Sequence, residues 1–326
     1  MVRRGDKMTL KELALLANVS VSTASKAFNN APDISIETQK DIFRIAKEYG
    51  CFGKFYKGKH HKKVFAVICP EIKGDYYENF ISCFKKYAES NNALISVSVD
   101  DFDDEKRREL VEYYASYLHV DGILVFGYVD ELKKGYETPI VSIGSASKGI
   151  DSIKIDLYKG FYSAVKYLKE QNHKKIAFIG EKLTISKRDM FVRAMNENGL
   201  CVKDEWIIIS DKRFEFAGVT STKKILEMQE KCTAVVCAYD SIAIGFINEL
   251  ERNGFSVPDD FSVIGCDNFS ISDYLAKPLT TIDPASEELS KIVFEVLNNK
   301  IKNKYYSIGS EICVEPKLII RETVKK

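Results

Sequence analysis

The chain has 326 residues, 45% of them hydrophobic, with 48 Lys+Arg against 47 Asp+Glu and a net charge of +1. That length exceeds one small module, and that apolar content excludes wholesale disorder. No apolar run reaches the ~18 residues of a membrane span, and the start, MVRRGDKMTL, has no apolar stretch behind its charges. The expectation is a cytoplasmic protein without a secretory signal or a membrane contact. Its 8 Cys include no C-x-x-C pair and its 4 His complete no ligand cluster, so free thiols, no metal and no cofactor are expected.

The first elements read as short helices. Thr9 and Glu12 make a capping-box pair, and Leu10, Leu13, Ala14 and Ala17 recur at helical spacing. Asn18-Val19 breaks the run, and Ser20 is a second N-cap, opening a helix from Val21 to Phe28. Ala24, Ala27 and Phe28 face inward on it, leaving Val21, Ser22, Ser25 and Lys26 outside. Small outward side chains with one cation suit a helix that enters a DNA major groove. A third helix follows, capped by Ser35, striped by Ile42, Ile45, Ala46 and Tyr49, and stopped by Gly50. Residues 1–63 hold 13 of the 48 basic and 6 of the 47 acidic residues, leaving 35 against 41 for the rest. A basic head on an acidic body results. A basic run is also what a solvated face looks like, but around a recognition-helix pattern it reads as a phosphate footprint. Segment 51–63, CFGKFYKGKHHKK, is a Gly- and Lys-rich linker whose composition fits both a phosphate-contacting arm and a plain tether.

From residue 64 the texture changes. Apolar runs at 64–70, 93–99, 122–127, 139–144, 175–180, 234–239 and 261–267 read as strands, and stretches at 78–91, 104–118, 159–172 and 240–254 as helices. Continuous apolar strands alternating with helices predict parallel sheets covered on both faces, with ligands bound beyond the strands' carboxyl ends. Those ends carry Glu71, Gly144-Ser145, Gly180-Glu181, Tyr239-Asp240 and Asp267-Asn268. Two similar β/α blocks predict two lobes with a cleft. An α/β enzyme is the rival from another class, but there is no G-x-G-x-x-G after a strand, no G-x-S-x-G elbow and no phosphate loop, and the chain reads as a non-enzyme.

At the head, Thr9, Ala14, Val19, Ser20, Thr23, Ser25 and Asn29 fill the pattern T-x-x-x-x-A-x-x-x-x-V-S-x-x-T-x-S-x-x-x-N. The body adds Asp121-Gly122-Ile123, Asp156, the run His173 to Gly180, Val257-Pro258-Asp259-Asp260, Gly265-Cys266-Asp267-Asn268, Leu279-Thr280-Thr281-Ile282 and Arg321-Glu322. In order and spacing these resemble the lactose-repressor/galactose-repressor family of bacterial transcription regulators over essentially the whole chain. The resemblance implies an all-α helix-turn-helix DNA-binding domain before an α/β core like a type I periplasmic binding protein, with two lobes joined by three crossovers. The implied divisions are a head at 1–50, a linker at 51–63 and a core at 64–326. Its lobes would be about 64–158 plus 281–305, and 159–280 plus 306–326.

The same resemblance implies a homodimeric repressor that binds double-stranded, palindromic operator DNA. Its DNA contacts would come from Thr9, Ser20, Val21, Ser22, Thr23, Ser25, Lys26 and Asn29, with Lys54, Phe55, Tyr56 and Lys57 of the linker. A small polar effector, of the sugar or sugar-phosphate class, would lie between the lobes against Tyr76, Tyr77, Asp156, Lys187, Tyr239 and Asp267. The alternative is a regulator of the same fold governed by a protein partner.

Two departures stand out. The family's Tyr-x-Pro-Asn-x-x-Ala-Arg-x-Leu hinge is replaced by the shorter segment Cys51 to Lys59, which lacks both Pro-Asn and the wedge Leu, so Phe55 or Tyr56 is left as the intercalation candidate. In the cleft, Lys187 stands at the family's Arg, and Tyr239 at the Asn of its Asn-Asp pair.

Overall fold

The structure, a computed structural model, describes residues 8–29, 31–56, 62–118, 120–128, 136, 138–144, 149–303 and 309–326. Three capped helices start it: α1 (Leu10–Leu16), α2 (Val21–Phe28) and α3 (Ile36–Glu48). The Thr9 hydroxyl accepts the Glu12 N–H while the Glu12 carboxylate accepts the Thr9 N–H, which closes the capping box. Ser20 and Ser35 accept the N–H groups of Thr23 and Thr38 in the same way. Met8, Leu13, Ala27, Phe28, Ile42 and Ala46 form the core beneath them.

A short fourth helix, α4 (Phe52–Phe55), closes this head. Phe52, Phe55 and Tyr56 pack on Phe28 and Phe43, with Phe52 and Tyr56 stacked at 4.8 Å and Phe55 5.7 Å from Phe28. Segment 51–56 is therefore part of the head, where the sequence reading began the linker. The reason is that three half-buried aromatic rings pack on the head's core.

The body holds, among the described residues, two six-stranded sheets. The first runs β11 (Glu311–Val314), β5 (Asp151–Ile155), β4 (Ile140–Ile143), β3 (Gly122–Phe126), β1 (Lys63–Cys69), β2 (Ala93–Val99), all parallel. The second runs β12 (Lys317–Ile319), β10 (Thr280–Asp283), β9 (Ser262–Cys266), β8 (Ala234–Cys237), β6 (Ile176–Glu181), β7 (Ile207–Ser210), with only β12 antiparallel. Central strands such as β3, β4, β8 and β9 are buried along their whole length, the pattern that covered parallel sheets impose.

Helices α5 (Asp75–Ser90), α6 (Asp104–Glu112) and α11 (Ser286–Lys302) serve the first sheet, α6 running on into a π-helical turn at Tyr113–Leu118. Helices α7 (Leu157–Glu170), α8 (Ile185–Glu197), α9 (Phe214–Glu227) and α10 (Asp240–Arg252) serve the second. The chain crosses between lobes three times: after β5, after β10 and after β11. The last two crossings fall later than the sequence reading set them. Strand β10 stays in the second sheet through Asp283, and the chain stays with the first through β11, because each strand pairs with its neighbour there. Strands β5, β7, β10, β11 and β12 and helices α8, α9 and α11 were not read from the sequence.

Candidate functional site

Two places gather the residues singled out above. The first is the outer face of α2. Val21, Ser22, Lys26 and Asn29 are exposed there, while Thr23 and Ser25 are half-buried. Ser20 and Thr23 hydroxyls share a 2.8 Å hydrogen bond, and Thr9 is engaged in its capping box. The Lys26 ammonium rests 2.5 Å from the Asp33 carboxylate, both about half exposed. In the segment after α3, Lys54 donates to the Met8 carbonyl and lies over the Phe55 ring. Phe55 and Tyr56 turn into the aromatic cluster of the head, so presenting either ring to DNA would forfeit that packing. Lys57 lies outside the described residues.

The second place is the cleft between the lobes. The loop after β9 brings Asp267 into it, 2% exposed, with φ +107 and Asn268 at φ +47. Asp and Asn tolerate this left-handed backbone better than other side chains with a Cβ. The loop is fastened from beneath by Asp240, which is fully buried. Its carboxylate accepts the Phe269 N–H at 2.8 Å, the Ser272 hydroxyl at 2.7 Å and the Thr281 hydroxyl at 2.5 Å. Burial pushes Asp240 up to about 7, against the pull of its donors. Gly265 is required beside it, since a Cβ there would lie 2.1 Å from Asp240 Oδ1. Arg321 completes the support by donating to Asn268 Oδ1 and to the Leu279 carbonyl.

Lys187 reaches the loop from α8. Its ammonium donates to Asp267 Oδ1 at 3.2 Å and to the Ala238 carbonyl at 2.8 Å, and it sits 4.5 Å above the Tyr239 ring. Burial works against that charge, but Asp267 together with Cys266 and Tyr239 raises the Lys187 pKa above the ordinary lysine value. Asp267 Oδ2 is buried with no hydrogen-bond partner among the described residues.

Across the cleft, the first turn of α5 supplies Tyr76 and Tyr77, whose rings meet Phe126 edge-on at 5.9 and 5.2 Å. Burial pushes both phenols well above the ordinary tyrosine range, with the charges of Asp267 and Lys187 felt at Tyr76. Asn79, on the same helix, donates to the Asp267 carbonyl at 3.4 Å. Tyr76, Tyr77, Lys187, Tyr239 and Asp267 thus converge. Asp156 lies at the crossover from β5 to α7: it heads α7 without capping it, and its charge is felt by Lys159 and Arg193.

Four cleft residues had no place among the sequence candidates. In the sequence Glu71 and Glu181 are visible only as strand ends, while Arg213 and Phe214 lie where no element is assigned. Arg213 makes a fork to Glu71, with both nitrogen-to-oxygen distances 2.8 Å, and its Nε donates to Glu181 at 3.0 Å. No group of His, Cys, Asp and Glu able to hold a metal occurs among the described residues, and no described helix is long and apolar enough to cross a membrane.

Residues 9–51 match the family described as bacterial regulatory proteins, lacI family, and residues 165–324 match the periplasmic binding protein-like domain. The chain is 30% identical over 334 residues to the HTH-type transcriptional repressor PurR of Vibrio parahaemolyticus, an alignment spanning 98% of this chain and 99% of that protein. It is 26% identical over 332 residues to the HTH-type transcriptional repressor CytR of Escherichia coli, spanning 97% and 96%. Its fold is that of the lac repressor dimer bound to operator and the anti-inducer ONPF, with a TM-score of 0.70 at 20% identity over 97% of this chain and 98% of that one. The CelR–cellobiose complex superposes with a TM-score of 0.65 at 20% identity, over 97% and 100%.

Proposed function

The chain belongs to the lacI family of bacterial regulatory proteins and is a DNA-binding transcriptional repressor of that kind, and on that premise we propose that it binds a palindromic operator as a homodimer under the control of a small polar ligand in the cleft. The exposed face of α2 carries the first half. Val21, Ser22 and Lys26 read base edges, while Ser20, Thr23, Ser25 and Asn29 position the helix on phosphates. Thr9 and Lys54 add backbone contacts from the head.

One buried oxygen carries the second half. Asp267 Oδ2 has no partner among the described residues, and a buried carboxylate oxygen left unpaired is costly unless a ligand or water donates to it. The ligand therefore offers a hydrogen-bond donor to Asp267 and a flat or apolar face to Tyr76, Tyr77 and Tyr239. Sugars satisfy both demands, as does any similar polyol. The protein-partner alternative needs a cleft that satisfies itself, and Asp267 does not.

A panel of pentoses, hexoses and their phosphates in a thermal-shift assay tests this. A ligand at 100 times its Kd adds ~2.7 kcal/mol of stability and raises Tm. Asp267→Ala is expected to abolish the shift and leave ligand-free operator affinity near normal, because the head is remote from the cleft. A panel that moves Tm equally in Asp267→Ala would sink the assignment of this carboxylate.

A further inference from the structure

The rim of the cleft holds a second device that the ligand reading does not use. Arg213 and Phe214 stand together at the start of α9, in the second lobe, and both reach the loop that follows β1 in the first. The Arg213 guanidinium is gripped on one edge by Glu181 of its own lobe, at 3.0 and 3.1 Å, and on the other by both oxygens of Glu71. A planar fork meeting a carboxylate at two points fixes orientation as well as distance. Glu181 is 2% exposed and Glu71 19%, against 37% for Arg213 itself.

Phe214 reinforces it. Its φ of +52 is a conformation that bulky side chains adopt only when their surroundings enforce it. The ring is pinned by Tyr239 at 6.0 Å, by the Arg213 guanidinium at 4.5 Å and by the Lys73 ammonium of the other lobe at 5.3 Å. A Cβ added at Gly74 would lie 3.6 Å from the same ring, and Gly74 itself has φ +144. The backbone strain at Phe214 is thus held in place partly by contacts that exist only when the lobes are together.

We infer that Arg213 and Phe214 form a clasp that holds the lobes shut without any ligand, and that the cleft opens only when the Glu71–Arg213 pair breaks. The clasp connects inward as well. The Phe214 ring packs on Tyr239, and the Lys187 ammonium that bonds Asp267 sits 4.5 Å over that same Tyr239 ring. A group that enters against Tyr239 therefore meets the inner anchor of the clasp. The inference needs neither a ligand nor DNA, so its fate is separate from that of the regulator reading.

The test is a distance measurement on full-length, ligand-free protein. Nitroxides are placed by Ile72→Cys and Lys182→Cys, exposed positions next to Glu71 and Glu181, with Cys83, Cys201 and Cys313 replaced by Ser. Dipolar spectroscopy is expected to give a short, narrow distribution in this background. Arg213→Met, which keeps the stem and removes the charge, and Glu71→Gln, which keeps the shape, are each expected to move it to longer values and broaden it. The double variant is expected to go no further than either single one. Unchanged distributions in both single variants overturn the clasp, and additive shifts overturn the pair as its agent. Glu71→Gln lies at a half-exposed loop and keeps the protein testable where Arg213→Met fails to fold.

Discussion

At the level of single residues, the two candidate sites present opposite situations. Lys26 is committed to Asp33 in the free protein, yet both partners are about half exposed, and an exposed ion pair is readily given up to a better partner. Lys26→Ala is expected to cost about 1–3 kcal/mol at the cognate operator and much less on random DNA. Equal losses on both, measured by fluorescence anisotropy, would mean that this lysine meets only phosphate. His173 is the other informative residue. Its ring nitrogens bond the Thr233 and Ser262 hydroxyls at 2.9 Å each, and burial, with Lys325 nearby, lowers its pKa below the ordinary 6.5. The unfolded chain then takes up a proton at a higher pH than the folded one. Stability is full above about pH 6.5 and falls as pH drops from there through the folded value. A plot of Tm against pH should show that decline, and His173→Asn should flatten it.

Among the elements, α4 changes the reading of the head most. A four-residue helix has no stability of its own, and this one exists because Phe52, Phe55 and Tyr56 join Phe28 and Phe43. Phe28 is the hub, 2% exposed and 5.3–6.0 Å from three other rings. Phe28→Ala is expected to cost about 3–5 kcal/mol, enough to unfold so small a unit while the lobes keep their cores. Circular dichroism should then show loss of the head transition alone, together with loss of operator binding. A single, uniformly lowered transition would tie the head to the lobes instead. The sequence named Phe28, Ile42 and Ala46 as core because they recur on helical faces. It missed Phe43, Phe52 and Phe55 because each packs on Phe28 from a different helix.

For the molecule as a whole, the charge asymmetry between head and body has its consequence in the linker. Lys54 is tied to the Met8 carbonyl, and Lys63 bonds Asn298 as the first residue of β1. Of the linker lysines, Lys62 is exposed, and Lys57 and Lys59 lie outside the described residues. Replacing Lys57, Lys59 and Lys62 with Gln should flatten the slope of log K against log salt by up to ~0.9 for each phosphate that is no longer neutralised. An unchanged slope would make the segment a spacer. Lobe closure belongs to the same scale. A ligand that biases it is worth about 1–3 kcal/mol, or roughly 5–150-fold in operator affinity.

The amino-acid sequence alone determined the capped helices of the head, the buried parallel strands and the identity of Tyr76, Tyr77, Lys187, Tyr239 and Asp267 as candidates. Caps act over three residues, strand burial repeats along one run, and family motifs sit at strand ends, so all of these are local in the chain. The tertiary structure decided what pairs across distance. Arg213 meets Glu71 although 142 residues separate them. No period or motif encodes such a meeting. It arises when three crossovers bring the carboxyl ends of two sheets face to face, and only then do a guanidinium and a carboxylate that were each solvated in the open chain find one another.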